Sequence, residues 1–130
     1  MENIKETMLD KKTWVVVGVT DKKDRFGYKI WKKLKEHGYT AYGVNPKLEE
    51  LEGEKIYKTI GDLPEKVEVL NMVVGPRLAM NILDQAKEVG IDYIFYQPGS
   101  YDDEVIKKTQ DLGLKYLDND CIHKTLLNME

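Results

Sequence analysis

Gly18-Val19-Thr20 directly follow the apolar run Trp14-Val15-Val16-Val17, and Asp21-Lys22-Lys23-Asp24-Arg25-Phe26-Gly27 come next. These residue types suit an anion. Gly18 lets a ligand approach the backbone, Thr20 offers a hydroxyl, and Arg25 presents the planar donor fork that matches a phosphate. Gly27 removes a side chain where a pyrophosphate would lie. When an apolar strand enters such a turn and a helix starts after it, backbone N–H groups and a helix N-terminus converge on negative charge. The spacing is not Gly-x-Gly-x-x-Gly.

Val44-Asn45-Pro46-Lys47 form a second cluster. A unit that binds the free ribose of NAD ordinarily carries Asp or Glu at this place. Here an amide, a proline and a cation replace the acid, which favours a phosphorylated ribose. Asn45-Pro46 also carries turn chemistry of its own. Val74-Gly75-Pro76 and Gln97-Pro98-Gly99 add two rigid, glycine-containing walls with accessible backbone groups.

Other chemistries find little support. One cysteine and two separated histidines do not make a usual zinc site, so no metal is expected. Gly-x-x-x-x-Gly-Lys-Ser/Thr is absent, and with it the common ATP cradle. Cys121 and His123 stand two apart, a spacing that does not face them toward each other on a helix. Asp102-Asp103-Glu104 reads as charge at a helix start rather than a catalytic pair. No catalytic residue is assigned.

The elements that must position these clusters follow one grammar. Gly38, Gly90 and Gly113 each close a helical pattern and precede a strand pattern, as left-handed helix stops do. The helical stripes are Phe26, Ile30, Trp31 and Leu34; Ala79, Ile82, Leu83 and Ala86; and Val105, Ile106, Thr109 and Leu112. Pro76 suits a first helical position, and Ser100 is the expected cap of the third helix. Strands are expected at residues 13–19, 39–45, 68–74, 93–97 and 115–118. Residues 46–66 read as a loop with one or two short turns. A leading helix is expected around Ile4, Met8 and Leu9, and a closing one from Ile122 to Met129.

This alternation predicts an α/β fold: a Rossmann-like, doubly wound, mainly parallel five-stranded sheet with helices on both faces. The 130 residues suit one domain, with 1–12 as a leading helix or tail. With 42% apolar and 33% charged residues the chain can build a core. A net charge of −3 argues against nucleic acid or an anionic membrane as partner. The single cysteine and the polar N-terminus fit the cytoplasm. A homodimer or an unidentified protein partner is compatible with all of this.

Taken in order, the motifs resemble the small single-domain CoA-binding proteins, which are similar to the nucleotide-binding domain of the succinyl-CoA synthetase α subunit. Gly18-Val19-Thr20, Arg25-Phe26-Gly27, Gly38-Tyr39 and Val44-Asn45-Pro46-Lys47 carry the likeness. It continues through Tyr57, Asp62-Leu63-Pro64, Val67, Pro76, Gln97-Pro98-Gly99, Gly113-Leu114 and Cys121. The resemblance implies coenzyme A, or an acyl-CoA, as cofactor. It implies that Gly18, Val19 and Thr20 face the phosphates with Arg25 and Gly27 beside them. Asn45, Pro46 and Lys47 would meet the adenosine and its 3′-phosphate. Val74, Gly75 and Pro76 would border adenine or pantetheine, and Gln97, Pro98 and Gly99 the far side. Two departures stand out: Val19 where many relatives carry alanine, and Asp118-Asn119-Asp120 where an arginine is common. The synthetase's catalytic histidine segment is absent, so binding without turnover is expected.

Two other readings compete. An NAD(P)-dependent oxidoreductase or nicotinamide-sensing domain fits Lys47 but leaves little chain for a substrate domain. A flavodoxin-like or receiver-like signalling domain fits the alternation. The receiver form lacks its acidic cluster, because Asp21 and Asp24 alternate with cations.

Overall fold

The computed structural model describes residues 3–130. Thr13–Val17 forms β1, whose Val15 and Val16 are both fully buried although they point to opposite faces. A strand covered on both sides needs an apolar residue at every position, which is why this run does not alternate. β2 (Thr40–Val44), β5 (Val69–Met72), β6 (Tyr93–Tyr96) and β7 (Lys115–Leu117) complete the sheet. The strand order is β2-β1-β5-β6-β7, and every ladder in it is parallel. The expected five-stranded doubly wound sheet is therefore present. The strands are shorter than expected at their carboxyl ends, where Gly18 and Val73 border a cleft while their N–H groups still donate to the Val44 and Val17 carbonyls.

Helices cover both faces. α1 (Ile4–Leu9), α2 (Phe26–Glu36) and α5 (Ile122–Asn128) pack on one, through Met8, Ile30, Trp31, Leu34, Ile122 and Leu126. These meet one face of the strands: Trp14, Val16, Val69 and Phe95. α3 (Pro76–Val89) and α4 (Asp103–Asp111) cover the other face, where Ala79, Leu83, Ala86 and Val105 meet Val15, Val17, Leu70, Met72, Ile94 and Tyr96. Pro76 opens α3, and Gly38, Gly90 and Gly113 have φ of 87°, 82° and 73°, as helix stops should.

Two local expectations are corrected. Residues 46–66 contain a hairpin, β3 (Glu50–Leu51) with β4 (Glu54–Lys55), before a short 3-10 helix at Ile60–Asp62. Glu52 and Gly53, with φ of 51° and 83°, form its two-residue turn. Asn-Gly and Asp-Gly are the readable signals for this turn, and Glu-Gly is not one. Glu52 also holds the hairpin to α2, accepting from Lys32 Nζ at 2.7 Å and from the Tyr28 hydroxyl. Ser100 does not cap α4. Asp102 does so, its Oδ1 accepting from Val105 N–H at 2.9 Å, while Ser100 Oγ donates to the Gln97 carbonyl at 2.6 Å.

At the amino end of the sheet, Glu68 accepts from the N–H groups of Lys12 and Thr13 and from the Thr13 hydroxyl. Burial opposes its ionisation, but these donors outweigh that and hold its carboxyl below the usual range. Glu68 thereby ties the start of β1 to the start of β5.

Candidate functional site

The strand order reverses between β1 and β5, since the chain leaves β1 for β2 on one side and leaves β5 for β6 on the other. Open α/β sheets bind ligands outside the carboxyl ends at such a point. Gly18 stands there, with φ of 106°. A Cβ on it would lie 3.1 Å from Val74 Cγ1 and 3.2 Å from Val74 N. No other residue type fits both that backbone and that space.

Two cavities meet at Gly18. On the α2 face one of about 470 Å³ is lined by Gly18, Thr20, Lys22, Arg25, Phe26, Gly27, Val73, Gln97 and Pro98. On the α3 face one of about 460 Å³ is lined mainly by Val17, Val44, Pro46, Val74, Leu78 and Ile82, with Asn45, Lys47, Lys58, Thr59 and Gln85 around them. The first is cationic and polar, the second largely apolar with two lysines. No carboxylate, histidine or cysteine lines either one. A larger cavity of about 860 Å³ lies against the hairpin, where Glu49, Glu50 and Asp62 stand against Lys55 and Lys58 and leave a net negative lining less suited to an anion.

The polar half has unused backbone donors. Arg25 is the N-cap of α2 and makes no side-chain cap bond, and the first turn holds no acid. Its opening N–H groups therefore face the cavity without an internal partner. Lys22 N–H donates to Thr20 Oγ1 at 3.3 Å, which folds the loop so that both side chains border the cavity. The Gly18 N–H is not available, because it donates to the Val44 carbonyl at 3.0 Å.

Several residues named from sequence stand differently than expected. Val19 is fully buried on the α2 side of the sheet, and a Cβ on Gly43 would lie 2.8 Å from its Cγ1. Its bulk fills the core and does not narrow the cleft. Gly27 borders the cavity, but its missing side chain makes room for protein: a Cβ there would lie 2.3 Å from the Gly18 carbonyl oxygen. That contact seats α2 against the β1 turn. Gly75 is the N-cap of α3 and has nothing within 4 Å of an added Cβ. Gly99, with φ of 92°, and Pro98 form the turn closed by Ser100 N–H on the Gln97 carbonyl at 3.0 Å. Gly75, Pro76 and Gly99 shape their loops without lining either cavity, whereas Val74, Gln97 and Pro98 do line one.

Asn45 is a brace. Its Nδ2 donates to the Val19 carbonyl at 2.7 Å and its Oδ1 accepts from Lys47 N–H at 2.8 Å. One amide thereby ties the β1 and β2 loops together and orients Pro46 and Lys47. Sequence reasoning missed Lys58 and Thr59. They reach the cleft because Tyr57 pairs with the end of β2, donating to the Gly43 carbonyl and accepting from Asn45 N–H, each at 2.9 Å. The hairpin makes that return, so nothing local in the sequence announces it. Leu78 and Ile82 had a readable signal. They stand four apart on α3; Ile82, expected in the buried stripe, is only partly buried, and Leu78 is 57% exposed.

His123 packs edge-on against Phe26, ring centroids 5.9 Å apart, at the mouth of the polar half. Burial, and then Lys29 and Lys33, push its pKa below the ordinary 6.5. Among the described residues no group of His, Cys, Asp and Glu could hold a metal ion, and no helix is long and apolar enough to cross a membrane.

Comparison with known proteins places the fold among known relatives. A hypothetical protein of Pyrococcus horikoshii is 37% identical and superposes with a TM-score of 0.87, covering 95% of this chain and 89% of its own. A Bacillus subtilis protein, YneT, is 23% identical over 92% of this chain and 88% of its own length. The α subunit of ADP-forming acetate–CoA ligase II from Pyrococcus furiosus is 32% identical over 58% of this chain, which amounts to 17% of that subunit. The chain thus spans about a fifth of the ligase subunits it matches. Residues 12–126 match the CoA binding domain family, and the chain belongs to that family.

Proposed function

We propose that the cleft holds coenzyme A or an acyl-CoA and does not turn it over alone. The observation that carries this reading is the division at Gly18, with an uncapped cationic half on one face and an apolar half with two lysines on the other. Adenine lies between Pro46, Val74, Leu78 and Ile82, and Lys47 and Lys58 meet the 3′-phosphate. The pyrophosphate crosses Gly18 toward Thr20, Lys22, Arg25 and the start of α2, and pantetheine runs on toward Gln97-Pro98. The lack of a carboxylate at the end of β2 supports CoA over NAD. The lack of a carboxylate, histidine or cysteine in either lining supports binding without turnover. The single cysteine supports a cytoplasmic setting.

Thermal unfolding with CoA, dephospho-CoA, NADH, NADPH, FMN and ATP tests this. A ligand at 100 times its Kd adds about 2.7 kcal/mol. CoA is expected to give the largest shift. A shift with NADPH and none with CoA overturns the reading.

A further inference from the structure

The far wall of the polar half ends in a buried amide that is only partly used. Gln97 is 4% exposed and lines the cavity, yet its Oε1 has no hydrogen-bond partner. A buried carbonyl oxygen without a donor is costly, on the order of 1–3 kcal/mol. The other end of the same amide is committed: Nε2 donates to Cys121 Sγ at 3.2 Å. Gln97 therefore stands between the cavity and the only thiol in the chain. Cys121 is free and partly exposed, at the turn that leads into α5. Its own N–H donates to Asp120 Oδ1 at 2.7 Å, and the other carboxylate oxygen of Asp120 pairs with Lys5 at 2.9 Å.

We propose that Cys121 captures the thiol end of the ligand as a mixed disulfide when CoA is presented in its oxidised form, CoA disulfide. This inference rests on the CoA reading above. Gln97 Oε1 accepts from an amide N–H of the pantetheine arm, which satisfies the orphaned oxygen and leads the arm's sulfur toward the sulfur that Nε2 holds. The Cys121 thiol loses its proton, and its sulfur attacks the bound half of CoA disulfide. The ligand's S–S bond breaks, a new S–S bond joins Cys121 to one CoA, and the other CoA leaves as a thiol carrying the proton. Cys121 sulfur is oxidised and the departing sulfur is reduced, so no further oxidant enters. The preference for this disulfide comes from the placement of the Cys121 sulfur beside Gln97 at the end of the cavity.

Intact-mass kinetics on the full chain test the inference, with CoA disulfide and glutathione disulfide as probes at equal concentration. The expected product is protein plus one CoA less two hydrogens, formed roughly 100-fold faster than the glutathione adduct because the bound sulfur has a high effective concentration. Adenosine 3′,5′-bisphosphate, which has no thiol, should slow the CoA reaction alone. Cys121→Ser should give no adduct and keep its thermal shift with CoA. Gln97→Leu should slow CoA capture about 10-fold while leaving the shift with adenosine 3′,5′-bisphosphate unchanged. Equal rates with the two disulfides overturn the inference, as does an adduct that survives in Cys121→Ser. A thermal shift with CoA but no adduct overturns it and leaves the CoA reading standing. No thermal shift with CoA in either protein removes both.

Discussion

α2 and α4 both begin at the carboxyl edge of the same sheet, and their N-termini are chemically opposite. α4 is closed: Asp102 accepts from Val105 N–H, and Asp103 and Glu104 neutralise the rest of its first turn. α2 is open: Arg25 gives no cap bond, no acid follows, and Lys22 and Arg25 border the space in front of it. Both helices offer the same backbone donors and dipole. Position at the strand ends makes a helix N-terminus available to an anion, and side chains then decide whether it is already satisfied. In this chain the open one also lies beside the reversal of strand order and the closed one does not.

The largest expected effect breaks the seat of the open terminus. Gly27→Ala places a methyl group 2.3 Å from the Gly18 oxygen and forces α2 away from β1. We expect a loss of about 3 kcal/mol in denaturant unfolding, and loss of CoA binding with it. Gly113→Ala, which meets nothing within 4 Å, should cost only about 1 kcal/mol for its positive φ and keep binding. Similar costs for the two would show that the α2 contact is not what selects glycine.

Giving α2 the cap of α4 is the direct exchange. Arg25→Asp should stabilise the free protein by about 1 kcal/mol and weaken CoA by roughly 30-fold, read by calorimetry. Unchanged affinity in this variant, or in Arg25→Ala, would remove the pyrophosphate from α2. On the apolar half, Lys58→Ala and Lys47→Glu should weaken CoA about 10-fold and dephospho-CoA far less. Equal losses for both ligands would assign these lysines another role. At the closed terminus Asp102→Ala should cost about 1 kcal/mol of stability and leave CoA affinity unchanged. A change in affinity there would mean that the two termini are coupled.

The smallest effect is pH dependence at the mouth of the open site. The His123 pKa is depressed, first by burial and then by Lys29 and Lys33. Between that lowered value and 6.5 the unfolded chain binds a proton that the folded chain does not. Stability should therefore fall as pH drops below about 6.5, and His123→Gln should flatten that slope. An anion bound at α2 opposes the lysines, so CoA should raise the His123 pKa in an NMR titration. If CoA leaves that titration unmoved, the phosphates do not lie at α2.

Much of this was legible because it is local. The strand at Thr13–Val17, the helix stops at Gly38, Gly90 and Gly113, and Pro76 at the start of α3 each depend on neighbours in the chain. Gly18, Thr20, Arg25, Asn45 and Lys47 were legible as candidates for an anion site for the same reason, and the fold brings them to the carboxyl ends of β1 and β2. The hairpin at Glu50–Lys55 was not, since Glu-Gly is a weak turn signal and the turn is held by Tyr28 and Lys32 of α2, which are distant in the chain. Lys58 could not be found without it. Val19 was read as facing a ligand because a strand end shows nothing about which side chains turn inward; Gly27 does border the cavity, but its close approach to the Gly18 carbonyl could not be read from spacing.

By itself the sequence determined the alternation of strands and helices, the parallel sheet and the glycine, hydroxyl and cationic residues that stand at the strand ends. Periodicity, turn chemistry and residue type act over a few positions, so they survive in one dimension. The tertiary structure decided that Gly18 joins two cavities on opposite faces, that Gly27 serves the protein's own backbone, and that Lys58 joins Lys47. It also brought Gln97 to Cys121. Each of these depends on contacts between segments distant in the chain, and such contacts exist only once burial and strand order have set which surfaces meet.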